Sequence, residues 1–113
     1  MPASRAPGPP IPVMLNVVLN LANLRMAQER WAEAEVYYDS AHQLATAQRD
    51  AGTKLRSIEN LGHCQYMQGK MTEAVATWRA GAALAGELEL PEQRESMLKR
   101  LATAAQPVAA PVG

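Results

Sequence analysis

Apolar side chains recur at spacings of three and four residues from Val13 onward, and no proline interrupts this pattern before Pro91. The period is that of a buried helical face, because residues three and four apart lie on one side of a helix. Glycine, proline or clusters of polar residues break the pattern at residues 28–30, 50–53, 69–70 and 90–91. The sequence therefore predicts an all-α fold of about five antiparallel helices, near 13–28, 31–49, 54–68, 71–88 and 91–105.

The two ends of the chain depart from this pattern. Residues 1–12 and 106–113 are rich in proline and alanine and show no helical period. Such segments bury too little apolar surface to offset the entropy that is lost on ordering. We therefore expect a disordered Pro-rich tail at 1–12, one helical domain at 13–105 and a second disordered tail at 106–113.

The chain also repeats itself at a spacing of forty residues. At this shift identical residues coincide: Asn20 with Asn60, Leu21 with Leu61, Glu33 with Glu73, and Ala34 with Ala74. Tyr38 coincides with Trp78, and Ala22 coincides with Gly62, where a small residue leaves room for the ring of the partner helix. Leu101 continues the repeat into the last helix. The domain is therefore predicted to contain two helix pairs and half of a third.

The repeated residues resemble the tetratricopeptide repeat (TPR) family. The second unit carries the pattern best, and reads Ile58-x2-Leu61-Gly62, then Gly69 at the turn, then Glu73-Ala74-x3-Trp78. The spacing of forty exceeds the family's usual length of about 34 residues, and is similar to the variant with longer helices. The resemblance covers about residues 15–105. It implies a TPR-like α-solenoid, with two helix-turn-helix repeats and a C-terminal capping helix, that binds other proteins.

The resemblance also implies a concave groove, lined by the first helix of each pair, across which a partner peptide lies. Carried over to this chain, the groove positions predicted to bind the peptide are Asn16, Asn20, Asn23, Arg56, Asn60, His63, Tyr66, Lys99 and Arg100. Leu19 and Thr103 would also line the groove. An asparagine amide can both donate to and accept from a peptide backbone, and the basic residues favour an acidic peptide. The alternative is that these residues form an ordinary solvated face.

Some relatives hold a peptide's terminal carboxylate with a clamp of asparagine, lysine and arginine. Asn23, Asn60 and Arg100 match three of its positions, whereas Leu19 and Ser96 stand where the clamp has lysine. A complete clamp is therefore not expected in this chain.

The first helix is apolar on nearly every side, which predicts that more than one neighbour covers it. Val17, Leu21 and Leu24 would face a preceding repeat. We call these three residues the N-terminal edge. We expect it to form a homodimer or to receive a partner protein, as exposed apolar patches often do. The alternative is that the Pro-rich N-terminal tail folds back over it.

Composition and charge remove several other classes of function. Eleven basic and eleven acidic residues leave a formal net charge of zero, so no overall field attracts nucleic acid or an anionic membrane. The apolar stretch 13–24 is too short and too rich in asparagine to span a bilayer. Cys64 is the only cysteine, which excludes an internal disulfide and suits the cytoplasm.

No arrangement of residues indicates an enzyme. His63 is adjacent to Cys64, so on a helix their side chains point in different directions, and Cys64 is expected to be a core residue. The phosphate-binding and zinc-binding motifs are absent from the sequence. We therefore predict a non-enzymatic adaptor without cofactor or metal. The alternative is a secretion-type chaperone or assembly subunit that covers an aggregation-prone partner.

Overall fold

The computed structural model describes residues 10–106, and this part of the chain consists of five helices joined by short turns. They are α1 (Ile11–Ala27), α2 (Trp31–Gln48), α3 (Ala51–Met67), α4 (Met71–Glu87) and α5 (Pro91–Ala105). Each turn has only two or three residues, so consecutive helices run antiparallel. The predicted all-α fold of five helices is confirmed.

The start of α1 corrects the predicted N-terminal tail. The helix begins at Ile11, two residues earlier than predicted, and Pro12 lies in its first turn. Proline suits this position because the N–H it lacks would have no partner inside the helix. Residues 11 and 12 are therefore helical. The other residues predicted as tails, apart from Pro10 and Gln106, lie outside the described part of the chain.

The start of α3 is also earlier than predicted, at Ala51 instead of residue 54. Asp50 caps the helix, because its carboxylate accepts hydrogen bonds from the backbone N–H of Thr53 at 3.1 Å and from the Thr53 hydroxyl at 2.6 Å. Aspartate is one of the residues that best satisfy the free N–H groups of a helix start. The residues predicted as a turn therefore form the first turn of α3.

The four turns share one geometry and recur every twenty residues. Each contains one residue with a left-handed backbone: Glu29, Arg49, Gly69 and Glu89, with φ between 57° and 78°. The N–H that follows donates to a carbonyl five residues back, as from Arg30 to Arg25 at 2.8 Å. This arrangement satisfies carbonyls at a helix end. Among these four residues only Gly69 is a glycine, the residue type from which a left-handed turn can be predicted.

The helices pack as a solenoid, because each contacts mainly the helices before and after it in the sequence. In addition α3 touches α5, and α1 and α3 together line a pocket. The odd-numbered helices therefore lie side by side and form one surface, which we call the inner face.

The repeated residues of the two units fill the core as the sequence predicted. Tyr38 is fully buried against Ala22 and Ala34. In the second unit a Cβ atom at Gly62 would overlap the indole ring of Trp78. Glycine or alanine at this position is thus what lets the ring of the following helix approach. Cys64 is buried beside Tyr38, which confirms its predicted place in the core.

Candidate functional site

Two pockets open on the inner face. The first lies between α1 and α3 and has a volume of about 140 Å³; we call it the polar pocket. Its walls are Leu19, Asn23, Thr53, Arg56, Ser57 and Asn60. The second, the aromatic pocket, lies between α3, α4 and α5 and has a volume of about 280 Å³. Its walls are His63, Tyr66, Trp78, Lys99, Arg100 and Thr103.

The polar pocket contains a hydroxyl group without a partner. Ser57 is only 1% exposed, and its Oγ makes no hydrogen bond within the described part of the chain. A buried polar group normally has a hydrogen-bond partner, since leaving one unpaired costs about 1–3 kcal/mol. The Ser57 hydroxyl lies just beneath the pocket wall, so a ligand in the pocket can supply the missing partner once the serine side chain rotates toward it.

Asn23 is oriented in this pocket by a contact from the neighbouring helix. The hydroxyl of Tyr38 donates a hydrogen bond to Asn23 Oδ1. Burial raises the pKa of Tyr38 to about 12, so the hydroxyl keeps its proton and remains a donor. Because the amide oxygen is occupied, the amide N–H₂ of Asn23 is the group left for a ligand.

The remaining polar groups of this pocket are mostly donors as well. Arg56 Nη2 donates to Thr53 Oγ1 at 3.3 Å, which leaves the other N–H groups of its guanidinium for further bonds. Asn60 adds a second amide. No carboxylate lines the pocket. The pocket therefore suits a group rich in oxygen acceptors, such as a peptide carbonyl or a carboxylate.

The aromatic pocket is built on the ring of Trp78. Its Nε1–H donates to the backbone carbonyl of Glu59 at 3.0 Å, so the polar atom of the indole is already satisfied. The ring of Tyr66 lies beside it, with centroids 5.9 Å apart and planes tilted by 38°. Trp78 is only 2% exposed and supports the pocket from beneath, so the partly exposed ring of Tyr66 is the one that offers apolar and π surface to a ligand.

Arg100 is held at this pocket by an ion pair between α3 and α5. Its Nε lies 2.6 Å from Glu59 Oε2, and the Ser96 hydroxyl contacts both oxygens of Glu59 at 3.0 Å. The guanidinium carbon lies 5.9 Å from the centroid of the Trp78 ring. Because Glu59 compensates its charge, Arg100 is less available to an acidic peptide than the sequence suggested.

His63 lies between this arginine and the first repeat. Its Nδ1 is 3.4 Å from Arg100 Nη1, and its ring meets Trp31 edge to face at 5.5 Å. Burial lowers the pKa of His63, and the positive charge of Arg100 lowers this pKa further. Arginine can only donate, so Nδ1 accepts and the ring is neutral at neutral pH.

The structure groups seven of the nine predicted groove residues into the two pockets. Asn23, Arg56 and Asn60 line the polar pocket, and His63, Tyr66, Lys99 and Arg100 line the aromatic pocket. Asn16 and Asn20 are exposed on α1, outside both pockets. Asn20 is equivalent to Asn60 in the repeat, but the described chain has no helix before α1 to form a pocket with it.

Sequence reasoning missed three residues of these pockets: Thr53, Ser57 and Trp78. Ser57 could have been found, because it lies four residues before Leu61 and seven before Cys64, on the buried side of α3. A hydroxyl at such a position needs a partner. Trp78 was recognised as a core residue, and it is one, with its ring at the base of the aromatic pocket.

The N-terminal edge is largely open to solvent in the described chain. Val17 is 52% exposed and Leu24 is 48% exposed, while Leu21 is half-buried. Within residues 10–106, Val17 and Leu24 thus keep about half of their surface open to solvent. The prediction that this edge binds a second copy or a partner therefore stays a prediction.

The fold and its pockets define a helical-repeat protein with a binding face. Residues 13–84 match the family model of the tetratricopeptide repeat, and this match spans more than half of the chain. The chain therefore belongs to the tetratricopeptide repeat family, whose members generally mediate protein–protein interactions and are typically non-enzymatic scaffolds. No curated protein and no solved structure matches the chain. Within residues 10–106, no helix is long and apolar enough to cross a membrane.

Proposed function

We propose that this protein is an adaptor that binds an extended segment of a partner protein along its inner face. The unpartnered hydroxyl of Ser57 in the polar pocket is the observation that carries this proposal. A fold without a ligand at this position leaves a donor unsatisfied, and a peptide carbonyl or an acidic side chain would satisfy it.

The two pockets are spaced to suit one peptide. Both use α3, with Asn60 in the polar pocket and Tyr66 in the aromatic pocket. Six residues of helix rise by about 9 Å, and the pockets lie on opposite sides of a helix about 10 Å wide. An extended chain of roughly four to five residues spans this separation. One short segment can therefore reach both pockets while its backbone crosses α3.

The test starts by selecting peptides from a randomised library on the immobilised protein, and then measures their dissociation constants by fluorescence anisotropy. The Ser57→Ala variant is decisive, because removing an unpartnered hydroxyl leaves the fold as stable as before or more stable. We expect peptide binding to weaken about tenfold in Ser57→Ala and in Asn60→Ala, which corresponds to about 1.4 kcal/mol per change.

Arg79→Ala provides the matched control, since Arg79 is exposed on α4 away from both pockets. We expect this variant to bind the selected peptides as the wild type does. If the selected peptides bind Ser57→Ala and Asn60→Ala with unchanged affinity, the inner face is not the peptide site and the proposal fails.

The exposed N-terminal edge favours a second candidate function. An apolar surface of this kind would let the protein cover an aggregation-prone partner as a chaperone or assembly subunit, or pair with a second copy. Light scattering after size exclusion would compare the wild type with Val17→Asp/Leu24→Asp. The control is Val36→Asp on α2, because Val36 is 64% exposed and lies off this edge.

Each outcome of this comparison decides between uses of the edge. A dimer that only the double variant dissociates supports self-association. A monomer at all concentrations excludes self-association. The chaperone function is then supported by a partner that is soluble when co-expressed with the wild type but insoluble when co-expressed with the double variant.

A further inference from the structure

We propose that the aromatic pocket receives an aromatic side chain of the bound segment, with an acidic group beside it. This inference rests on the proposed function, because it names the chemistry of the partner at the C-terminal end of the inner face. It follows from the size of the pocket, its walls, and the one cation at its rim that is not firmly paired.

The size of the pocket matches a large ring. A cavity of 150 Å³ is enough to take up benzene in a protein, and the aromatic pocket measures about 280 Å³. A bicyclic ring such as indole therefore fits. The polar pocket has half this volume, about 140 Å³, and polar groups dominate its walls.

The walls of the pocket favour an aromatic ring over an aliphatic chain. The Tyr66 ring is partly exposed at this pocket, and the guanidinium of Arg100 lies over the buried ring of Trp78, so an entering ring can pack against Tyr66 and against the Arg100 guanidinium. The indole N–H of Trp78 is already bonded to the backbone carbonyl of Glu59, so an apolar ring in the pocket does not leave this donor unpaired. An aliphatic side chain would gain only burial.

The pocket is also held in shape before a ligand arrives. Arg100 is fixed by Glu59 and lies over the Trp78 ring, and Glu59 is in turn contacted by Ser96. Side chains that are already ordered lose little entropy on binding. The Glu59–Arg100 pair therefore acts as a support for the wall and not as an open binding charge.

Lys99 is the cation that remains for the ligand. Its side chain is 76% exposed, and its ion pair with Glu95 is long, at 3.8 Å. No carboxylate lines the pocket itself. An acidic group next to the aromatic side chain would therefore be attracted to Lys99. Because this ion pair is exposed, its effect on affinity is expected to be about two- to fivefold.

The experiment titrates the full chain, labelled with ¹⁵N, with three probes and follows its backbone amide resonances. The probes are N-acetyl-tryptophan amide, N-acetyl-tryptophan with its free carboxylate, and N-acetyl-leucine amide. We expect the tryptophan amide to bind with millimolar affinity and to shift amides near Tyr66 and Thr103. The carboxylate form should bind about two- to fivefold more tightly, and Lys99→Gln should abolish that difference.

A filled-pocket variant separates specific binding from weak surface contact. Thr103 is exposed at the pocket wall, so Thr103→Trp places a ring at the pocket without disturbing the core. We expect this variant to lose the shifts caused by the tryptophan probes, whereas Arg79→Gln on α4 keeps them. Shifts that persist in Thr103→Trp, or equal binding of the leucine and tryptophan amides, would overturn the inference.

The same variants keep this inference distinct from the proposed function. Ser57→Ala removes a group of the polar pocket and is expected to leave probe binding unchanged. If selected peptides bind Thr103→Trp as well as wild type but lose affinity in Ser57→Ala, the aromatic-pocket inference fails while the proposed function stands. If no probe and no selected peptide responds to any of these changes, both fail.

Discussion

The indole ring of Trp78 occupies the space that a side chain at Gly62 would need. Replacing Gly62 by alanine therefore forces α3 and α4 apart or moves the ring. The substitution gains helix propensity, but overpacking of a core costs about 1–3 kcal/mol. We expect Gly62→Ala to lower the free energy of unfolding by about 1–2 kcal/mol, measured by urea denaturation.

Gly86→Ala is the matched control for this prediction. It is also a helical glycine, but the nearest atom to its added Cβ would be Arg94 Cδ at 3.5 Å, an ordinary contact. We expect this variant to be as stable as the wild type, or more stable by up to about 1 kcal/mol. A Gly62→Ala variant that behaves like Gly86→Ala would show that the ring has room to move.

The left-handed turns give a second prediction. Glu29, Arg49 and Glu89 adopt φ values of 57–58°, which side chains with a Cβ disfavour, whereas Gly69 occupies the same position at no steric cost. We expect glycine at each of these three positions to raise the melting temperature, with a gain of about 0.5 kcal/mol per site. Gly69→Ala should lower it, and a stable Gly69→Ala would contradict the shared turn geometry.

The N-cap of α3 predicts a dependence of stability on pH. The hydrogen bonds from Thr53 lower the pKa of Asp50, with a smaller contribution from the charge of Arg56. A carboxylate with a lowered folded-state pKa stabilises the fold above its unfolded pKa, and this contribution is lost as pH falls through the folded pKa. Asp50→Ala should cost about 1 kcal/mol at neutral pH.

The measurement for Asp50 compares urea midpoints of wild type and Asp50→Ala from neutral pH down to about pH 3, below the ordinary aspartate pKa. We expect the difference between the two proteins to shrink on the acid side. Asp50→Asn, which keeps a capping oxygen, should retain much of the stability at neutral pH. A difference that is constant with pH would argue against the cap.

The contact between His63 and Arg100 predicts a shift that NMR can follow. Burial and the charge of Arg100 lower the pKa of His63. We expect Arg100→Gln to raise the pKa of His63 toward its ordinary value of about 6.5, while Arg79→Gln leaves it unchanged. Since this histidine pKa is lowered in the folded state, His63 favours folding above pH 6.5 and loses that effect as pH falls further.

The fold could be predicted from the sequence because the sequence of one helix pair is repeated in the next. Ala34 and Tyr38 in the first unit have counterparts forty residues later in the second unit, and the paired positions are buried in the core in the same way. The match of residues at this shift therefore identified the helix pairs. The positions of the four turns were predicted, but the left-handed backbone of three of them was not, since Glu29, Arg49 and Glu89 are not glycine. Their backbone follows from the helices that they connect.

The site could be predicted only in outline. Asn20 and Asn60 are equivalent in sequence, yet within residues 10–106 only Asn60 has a preceding helix with which to form a pocket. The pairing of Arg100 with Glu59 joins residues forty-one positions apart and depends on how α5 lies against α3. The sequence shows that Arg100 is a cation, but it does not show that the carboxylate of Glu59 already pairs with it.

The inner face consists of three helices that make few contacts with one another. The solenoid is held together mainly through the even-numbered helices behind it, so few contacts fix the spacing of α1, α3 and α5. A bound segment that contacts all three helices would hold them at fixed distances from one another. Binding of such a segment would then reduce the relative motion of the helices along the whole array, including helices far from either pocket, without a change in the average structure.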